Sequence, residues 1–414
     1  MSTPWQMRFA QRTKNVKASS VREILKVTQR PEVISFAGGL PAPELFPIER
    51  FAAACHHVLS TAGAQALQYS TTEGYPPLRE MIVDMMTREE KGIALKPENI
   101  LITASSQQAL DLIAKLLINN GDRVLVESPS YLGAFQAFNL FSPEYVPLPI
   151  DDDGLQTSLL PEAIQTGPKF MYLLPNFQNP GGVTLSLERR KQIVKVANDY
   201  GIPIVEDDPY GQLRYEGNYV SPLYACDQHN IPNQNGHYTG NVIYMSTFSK
   251  TLAPGFRLGW IAAPLEVISK LVQIKQGADL HTSTFAQMVV YEAAKDGFIE
   301  EHIAHLREVY RERRDMMLES LDEFFPTQVK WTHPKGGLFL WVTLPEGGDS
   351  LKLLEVAVQQ NVAFVPGDGF FANPQDGKRH LRLNFSNASL EMIRQGIYRL
   401  SVAVKEQLMQ KVTA

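Results

Sequence analysis

One lysine in this chain lies among hydroxyl side chains, in the segment Ser246–Trp260 (STFSKTLAPGFRLGW). Lys250 stands between four Ser and Thr residues, and Arg257 follows it in the same segment. Hydroxyl groups, an arginine fork and backbone N–H groups are what bind a phosphate monoester. A lysine amine held among them could condense with the aldehyde of a phosphorylated cofactor such as pyridoxal phosphate (PLP). A segment of this composition also occurs as a plain surface loop, so both interpretations stay open at this point.

The bulk composition is that of an ordinary globular protein. The chain has 414 residues, of which 44% are hydrophobic and 20% charged, and this length favours a large core and two domains. A net charge of −5 offers no basic face for nucleic acid. Two cysteines exclude a disulfide framework, and no apolar run is long enough to span a membrane, so we expect a cytoplasmic protein. The cluster Cys55-His56-His57 does not favour a metal site, because consecutive helical positions point in different directions.

Short apolar runs alternate with helical patterns through the first two thirds of the chain. The runs lack polar alternation, which is typical of strands buried on both faces of a mostly parallel sheet. They predict strands at Asn99–Thr103, Arg123–Glu127, Phe170–Leu174, Pro203–Glu206, Val242–Met245 and Leu258–Ala262. We therefore expect an α/β fold with a mostly parallel central sheet.

The C-terminal third has a different pattern. A long, charged helix over Phe298–Phe324 is followed by shorter sheet segments at Gly337–Val342, Ala363–Val365 and His380–Phe385. These elements predict a smaller α+β domain. We place the large, cofactor-binding domain at 47–295 and the small C-terminal domain at 296–414. Residues 1–46 are expected to form an N-terminal arm and helix that pack with the small domain.

Polar residues follow several of the predicted strands, at the sheet edge where α/β proteins bind ligands. Ser106 and Gln107 open a helix after the first strand, where free N–H groups bind anions, although a simple serine cap is the commoner use of such a sequence. Asn179 belongs to the turn Asn176–Gly182, which is a turn signal in any protein. Tyr131 follows another strand and could stack on a flat cofactor or simply pack in the core.

Charged residues at two further strands could either bind a ligand or face solvent. Glu206, Asp207 and Asp208 are adjacent acids after an apolar strand, so one of them needs a cationic partner such as a protonated pyridine nitrogen, unless the loop is solvated. Arg382 lies inside the strand His380–Phe385, where it either faces solvent or grips a carboxylate.

Taken in order, these segments resemble the fold type I PLP-dependent aminotransferases of class I/II. The family's order of phosphate loop, stacking Tyr, Asn-Pro, Asp-x-x-Tyr, Schiff-base Lys, phosphate Arg and carboxylate Arg is reproduced over roughly residues 20 to 400. The segments Ile34–Pro41 and Glu206–Tyr210 are similar to the branch of 2-aminoadipate (LysN-like) and kynurenine aminotransferases.

The resemblance implies a role for each of the singled-out residues. Lys250 would bind the cofactor covalently and move a proton as general acid and base, and Asp207 would keep the pyridine nitrogen protonated. Asn179 and Tyr210 would hydrogen-bond the ring's O3′, and Tyr131 would stack on the ring. Arg382 would pair with the substrate α-carboxylate, assisted by Asn179 and the Gly39 backbone. The residues implied for the cofactor phosphate are Ser106, Gln107, Thr247, Ser249 and Arg257.

The resemblance also implies a homodimer, in which Tyr69 reaches the phosphate of the neighbouring subunit. Arg22, on the first predicted helix, is a candidate for a distal substrate carboxylate or else a surface arginine. Two positions depart from the family pattern. Ser105 replaces the usual Gly before the phosphate-binding pair, and Gly181 replaces the Thr of Asn-Pro-Thr-Gly, so we expect local contacts to differ at both.

The implied reaction is transfer of an amino group from an L-amino acid to a 2-oxo acid, with 2-oxoglutarate the expected acceptor. The candidate donors are 2-aminoadipate, glutamate, and aromatic or branched-chain amino acids. Two alternatives remain: another PLP carbanion enzyme, either a lyase or a racemase, and a PLP-sensing domain of a MocR-type regulator. The regulator is disfavoured because the enzyme-like part already begins at Ser20.

Overall fold

The computed structural model describes residues 3–15, 30–90, 93–228 and 236–412. The α-helices of the described residues are α1 (Ile48–Ala66), α2 (Pro76–Thr87), α3 (Ser105–Leu117), α4 (Leu132–Phe138), α5 (Leu160–Gln165), α6 (Leu187–Tyr200), α7 (Leu223–Gln228), α8 (Leu265–Gln276), α9 (Thr284–Ala294), α10 (Phe298–Phe324), α11 (Ser350–Gln359) and α12 (Leu390–Val412). The strands are β1 (Ile34–Ser35), β2 (Ile100–Thr103), β3 (Arg123–Ser128), β4 (Glu144–Asp151), β5 (Gly154–Leu155), β6 (Phe170–Leu173), β7 (Ile204–Asp207), β8 (Val242–Thr247), β9 (Gly259–Ala262), β10 (Lys330–Trp331), β11 (Phe339–Thr343), β12 (Val362–Ala363), β13 (Val365–Pro366) and β14 (His380–Asn384). The first predicted helix, which carries Arg22 and which the sequence predicts to begin at Ser20, lies outside these ranges.

The largest sheet has the strand order β2-β9-β8-β7-β6-β3-β4-β5. The inner pairs β8–β7, β7–β6, β6–β3 and β3–β4 are parallel, whereas β9 runs antiparallel to both of its neighbours. Strands β2, β6, β7 and β8 are buried along their whole length, with hydrophobic clusters on both faces of the sheet. The α/β fold with a mostly parallel central sheet is thereby confirmed.

Strand β4 and the two-residue strand β5 are the elements of this sheet that the apolar pattern did not predict, and β4 is the longer of the two. Most of its residues are at least partly exposed, and it contains Pro147 and Pro149. Only the two-residue strand β5 lies beyond it, so β4 is close to the sheet edge, where proline is tolerated. An exposed strand with two prolines gives no continuous apolar run.

A second sheet, in the C-terminal third, has the order β10-β11-β14-β13 and is antiparallel. Strand β1 pairs with β12 in parallel, which brings the segment before α1 onto the C-terminal region. Helix α10 contacts both cores: Ile299 and Ile303 pack with the sheet's cluster, whereas Leu306 and the later residues pack with the C-terminal one. The domain boundaries stay a prediction.

Among the described residues, no helix is both long and apolar enough to cross a membrane. Cytoplasmic location stays a prediction.

Candidate active site

A cavity of about 340 Å³ opens where the parallel strands end. Asp207 and Thr247 are the last residues of β7 and β8, and Leu174 follows β6 directly. This is the edge at which open α/β sheets bind ligands. The cavity brings together twelve predicted residues: Gly39, Ser106, Gln107, Tyr131, Asn179, Asp207, Tyr210, Thr247, Ser249, Lys250, Arg257 and Arg382.

Of the predicted residues that the structure describes, Tyr69 does not line the cavity. Tyr69 is 79% exposed and contacts the His281 ring edge-on at 5.9 Å. Its predicted reach into a neighbouring subunit stays a prediction. Arg22 lies outside the described residues.

The Lys250 amine is held against the cavity wall. Its Nζ donates a hydrogen bond to the Gly39 carbonyl oxygen at 2.7 Å. Burial lowers the pKa of Lys250 to about 8, and the guanidinium groups of Arg382 and Arg257 act in the same direction. A larger fraction of this amine is therefore unprotonated at neutral pH than of an ordinary lysine, which is what a nucleophilic amine requires.

Asp207 has one carboxylate oxygen satisfied and one free. Its Oδ2 accepts a hydrogen bond from the Tyr172 hydroxyl at 2.7 Å, whereas its buried Oδ1 has no partner in the described structure. Burial raises the pKa of Asp207 to about 7, the Tyr172 hydrogen bond lowers it, and Asp208 raises it. A buried, unpaired carboxylate oxygen beside a cavity fits a cationic group such as a protonated ring nitrogen.

The two neighbouring acids are satisfied by the protein itself. Glu206 accepts from the Leu223 and Tyr224 N–H groups at 2.8 and 2.9 Å. Asp208 accepts from the Gly211 N–H at 2.8 Å. Burial raises the pKa of both carboxyls, and the Arg190 guanidinium attracts both carboxylates and partly opposes that rise. Of the three adjacent acids, Asp207 is therefore the one left for a ligand.

The start of α3 presents groups for an anion. Its N-cap, Ala104, makes no side-chain capping bond, so the first-turn N–H groups are not capped by a side chain. The Ser106 Oγ is buried and has no partner in the described structure. Gln107 already donates through Nε2 to the Gly133 carbonyl at 3.3 Å. This end of the cavity fits a phosphate group.

Ser105 keeps the backbone shape that the family's glycine would have. Its φ is 69°, in the left-handed region that favours glycine. Its hydroxyl accepts a hydrogen bond from Arg257 Nη2, which ties the predicted phosphate arginine to the helix start. The substitution thus changes the contacts of the loop while leaving its φ in the glycine region.

Gly181, the second departure, is explained by its neighbour Gln178. A Cβ at position 181 would lie 2.9 Å from Gln178 Oε1. That amide is fixed, because it donates to the Pro129 carbonyl at 2.7 Å and accepts from the Gly181 N–H at 2.9 Å. The Gln178 amide therefore takes the space that a larger residue at 181 would need.

Arg382 is buried, which rules out the solvent-facing alternative. It donates to Asn179 Oδ1 and to the Ala37 carbonyl, each at 2.8 Å, and its Nε is unpaired. Its guanidinium lies 4.1 Å from the Phe339 ring centroid. No described carboxylate forms an ion pair with it. A buried cation without a counterion is a site for a carboxylate.

Asn179 links this arginine to Tyr210. Its Nδ2 lies 3.4 Å from the Tyr210 hydroxyl, a long hydrogen bond, while its Oδ1 accepts from Arg382. The Tyr210 ring packs edge-on against Phe339. These side chains therefore form one connected wall of the cavity.

Sequence reasoning missed Tyr172 and Arg190. Tyr172 gave no signal, because an aromatic residue in an apolar strand is typical of the core. Arg190 did give one: helical spacing places it on the same face as Ile193, Val194 and Ala197, which are all buried. A charged residue on an apolar face indicates a buried partner.

A further cavity of about 480 Å³ shares Pro209 and Thr247 with the first one. Its lining includes Asn176, Asp208 and Tyr244, which belong to the network around Arg190. Apart from Thr247, none of the predicted site residues lines it.

Comparison with known proteins decides the family. The family model for class I and II aminotransferases matches residues 33–400. The chain belongs to the class I and II aminotransferases. It is therefore a PLP-dependent transaminase, as the sequence predicted.

Individual relatives place this aminotransferase near the expected branch. It is 47% identical to aromatic-amino-acid aminotransferase 1 of Thermococcus litoralis, over 97% of this chain and 94% of the relative. It is 44% identical to 2-aminoadipate transaminase of Thermus thermophilus, over 97% of both chains. The solved structure of the α-aminoadipate aminotransferase LysN from Thermus thermophilus, complexed with N-(5′-phosphopyridoxyl)-L-leucine, has 41% identity and a TM-score of 0.90 over 99% of this chain and 100% of that one.

The two alternative functions, a PLP-dependent lyase or racemase and a PLP-sensing regulator, are not favoured by these comparisons. A helix-turn-helix transcriptional regulator of Bacillus subtilis is 31% identical over 92% of this chain and 75% of the relative, below the 47% and 44% of the two aminotransferases named above.

Proposed function

We propose that this aminotransferase moves the amino group of an aromatic, branched-chain or acidic L-amino acid to 2-oxoglutarate. The main supporting observation is that the Lys250 amine, the Arg382 guanidinium with its unpaired Nε and the unpaired Oδ1 of Asp207 line one cavity. A transaminase needs an amine that attacks an aldehyde, an anchor for the α-carboxylate and a counterion for the ring nitrogen.

The cofactor supplies an electron sink for the substrate carbanion. In the proposed mechanism, Asp207 Oδ1 would hold the proton on the ring nitrogen, and Asn179 and Tyr210 would donate to the ring's O3′. The Lys250 amine would hold the cofactor and, as general acid and base, would accept a proton from the substrate Cα and return it. Its low pKa suits it to accept and to return that proton near neutral pH.

The remaining residues bind and orient. We propose that Ser106, Gln107, Thr247, Ser249 and Arg257 bind the phosphate, and that Tyr131 stacks on the ring. Arg382 would pair with the α-carboxylate, with Asn179 and the Gly39 backbone assisting. Holding both the carboxylate and the ring would limit the orientations of the Cα–H bond relative to Lys250 and so lower the entropic cost of reaching a reactive geometry.

The lining of the cavity bears on the donor side chain. The side chains of Leu40, Leu132, Leu174 and Phe339 make much of the wall apolar, which suits aliphatic and aromatic donors. The cations lining it among the described residues are Lys250, Arg257 and Arg382, and each already has a proposed partner. An acidic donor would therefore need another cation for its distal carboxylate. We propose Arg22 for that role.

A panel of amino donors with 2-oxoglutarate, scored by glutamate formation, tests this specificity. We expect turnover with aromatic, branched-chain and 2-aminoadipate donors. Arg22→Ala should raise KM for 2-aminoadipate about tenfold or more and leave leucine within about twofold, because only the acidic donor loses an ion pair. A uniform effect on both donors would make Arg22 a structural residue. Turnover without any 2-oxo acid would instead favour a lyase or racemase.

We also propose a homodimer. Large apolar side chains are exposed around Tyr69, including Leu67 at 75% and Leu280 at 46%. Exposed apolar surface of this kind is typical of a subunit interface. Light scattering on the purified chain measures the mass directly, and a monomer with bound PLP would refute the role of Tyr69 across an interface.

A further inference from the structure

Tyr172 is a buried tyrosine whose hydroxyl is bonded to the carboxylate of Asp207. It is fully buried in the middle of β6, and its ring packs edge-on against Phe138 at a centroid distance of 5.5 Å. Its hydroxyl donates to Asp207 Oδ2 at 2.7 Å. A carboxylate has no proton to donate, so the tyrosine must be the donor.

The sheet register produces this contact. Tyr172 of β6 is paired with Val205 of β7, and Asp207 lies two residues further along β7 on the same face. Two strand residues advance about 6.6 Å, which a tyrosine ring and hydroxyl can span. A Phe at this position would fill the same space without reaching the carboxylate by a hydrogen bond.

We propose that Tyr172 is a positioning residue that holds Asp207 through Oδ2, so that Oδ1 alone faces the cofactor's ring nitrogen. This rests on the role proposed for Asp207. The observation that points to it is the division of the carboxylate: one oxygen is bonded within the sheet, and the other is buried without a partner beside the cavity.

The hydrogen bond also favours the ionised carboxylate. Burial raises the pKa of Asp207, and the Tyr172 hydroxyl opposes that rise. Burial raises the pKa of Tyr172 well above its ordinary value, so its hydroxyl keeps its proton. Without the hydroxyl, the Asp207 pKa should rise and the carboxyl should be protonated over a wider range of pH. The titratable groups around this pair are Asp208, Tyr131, Tyr210 and Glu127.

The test is PLP binding by the cofactor-free protein as a function of pH, followed by absorbance or protein fluorescence. Tyr172→Phe should raise the PLP dissociation constant about tenfold near pH 7. The acid limb of the binding profile should move to higher pH, because the ionised Asp207 is the form that pairs with a ring cation.

Tyr238→Phe provides a matched control. The Tyr238 hydroxyl is also buried and lies 3.1 Å from a carboxylate oxygen of Asp227, which does not line the cavity, and it also bonds the N–H and the carbonyl of Val242. We expect this variant to lose at least as much thermal stability as Tyr172→Phe while keeping the parent's PLP affinity and pH profile. If Tyr172→Phe behaves like Tyr238→Phe, the hydroxyl is structural and the proposal is wrong.

The variant Asp207→Asn distinguishes failure of the role proposed for Tyr172 from failure of the role proposed for Asp207. If it weakens PLP binding and abolishes the acid limb while Tyr172→Phe does neither, only the role of Tyr172 fails. If Asp207→Asn binds PLP with the parent's affinity and profile, the role of Asp207 fails and the role of Tyr172 fails with it.

Discussion

At the level of single residues, the site is marked by buried polar atoms that the protein leaves unpaired. Asp207 Oδ1, Ser106 Oγ and Arg382 Nε are buried without a described partner, and all three residues line one cavity. Leaving such atoms unpaired costs free energy, which a ligand bearing a cation, a phosphate and a carboxylate would recover. The set therefore fits PLP together with an amino acid.

Replacing Lys250 by Ala removes the amine that we propose to bind the cofactor. Borohydride treatment of the parent should fix PLP to a peptide containing Lys250, and mass spectrometry of a digest would locate it. The variant should show no such adduct. PLP fixed to the variant at the parent's level would show that another lysine is the site.

Substitutions of Ser105 can separate the contribution of its hydroxyl to PLP binding from the cost of its left-handed backbone. Ser105→Ala keeps the left-handed φ of 69° and removes the hydroxyl that accepts from Arg257, so PLP affinity should fall several-fold. Ser105→Gly removes the same hydroxyl but relieves backbone strain worth about 1 kcal/mol.

We therefore expect the two Ser105 variants to bind PLP alike and the Gly variant to unfold at the higher temperature. Titration with PLP and thermal unfolding measure the two effects. Parent-like PLP affinity in both variants would show that the hydroxyl does not organise Arg257.

Among the secondary-structure elements, helix α6 holds the loop after β6 in place through the hydrogen bonds of Arg190. Arg190 is fully buried and donates to the carbonyls of Leu185 and Pro175 and to Asn176 Oδ1, at 2.7 to 2.9 Å. A guanidinium has five donors in a fixed plane, which suits several acceptors at once. The loop after β6 is thus held three residues before Asn179.

Arg190→Lys should lower the free energy of unfolding by about 3 kcal/mol, because an ammonium cannot reach these acceptors together and leaves some of them unpaired. The urea midpoint measures the loss. The adjacent Arg189 is the control. It donates to the exposed Asp151 carboxylate and to the Gly154 and Leu155 carbonyls, but it is itself partly exposed, so water can replace lost bonds and Arg189→Lys should cost less than about 1 kcal/mol. Equal losses would mean that Arg190 does not fasten the loop.

Across the molecule as a whole, the sheet's core encloses several acids near the cavity. Burial raises the pKa of Glu127 and of Glu206 to about 8 and that of Asp207 to about 7. A carboxyl whose pKa is higher in the folded than in the unfolded state contributes stability at low pH. That contribution is lost as the pH rises through the folded pKa.

Asp207→Asn should therefore stabilise the cofactor-free protein at pH 8, on the order of 2 to 4 kcal/mol, and have little effect near pH 4. The two pH values lie on either side of the range over which Asp207 titrates, because its pKa is near 4 in the unfolded chain and about 7 in the folded one. Thermal unfolding of both proteins at the two pH values measures the difference. A difference of the same size at both values would contradict the raised pKa.

The domain division at 47–295 and 296–414 also concerns the molecule as a whole, and we propose it as the sequence suggested. The hydrophobic residues of the eight-stranded sheet and those of the C-terminal region form separate clusters. The first turns of α10 contact the first cluster, so the long helix connects the two.

Local patterns in the sequence were enough to predict the strands, their mostly parallel sheet and the loops at its edge. Uninterrupted apolar runs indicate buried strands, and polar residues directly after them indicate the loops. The positions of Lys250, Asp207 and Asn179 could be inferred because such loops share one edge. The weakly apolar strand β4 escaped this pattern.

The hydrogen-bond partners of the buried polar groups are visible only in the folded chain. Tyr172 reaches Asp207 through the register of two strands, and Arg190 approaches Glu206 and Asp208 from a helix elsewhere in the chain. The burial of Arg382, which alternation alone allowed to face solvent, likewise depends on the packing of Phe339 against it. Pairings of this kind depend on distances across the fold, and no local spacing encodes them.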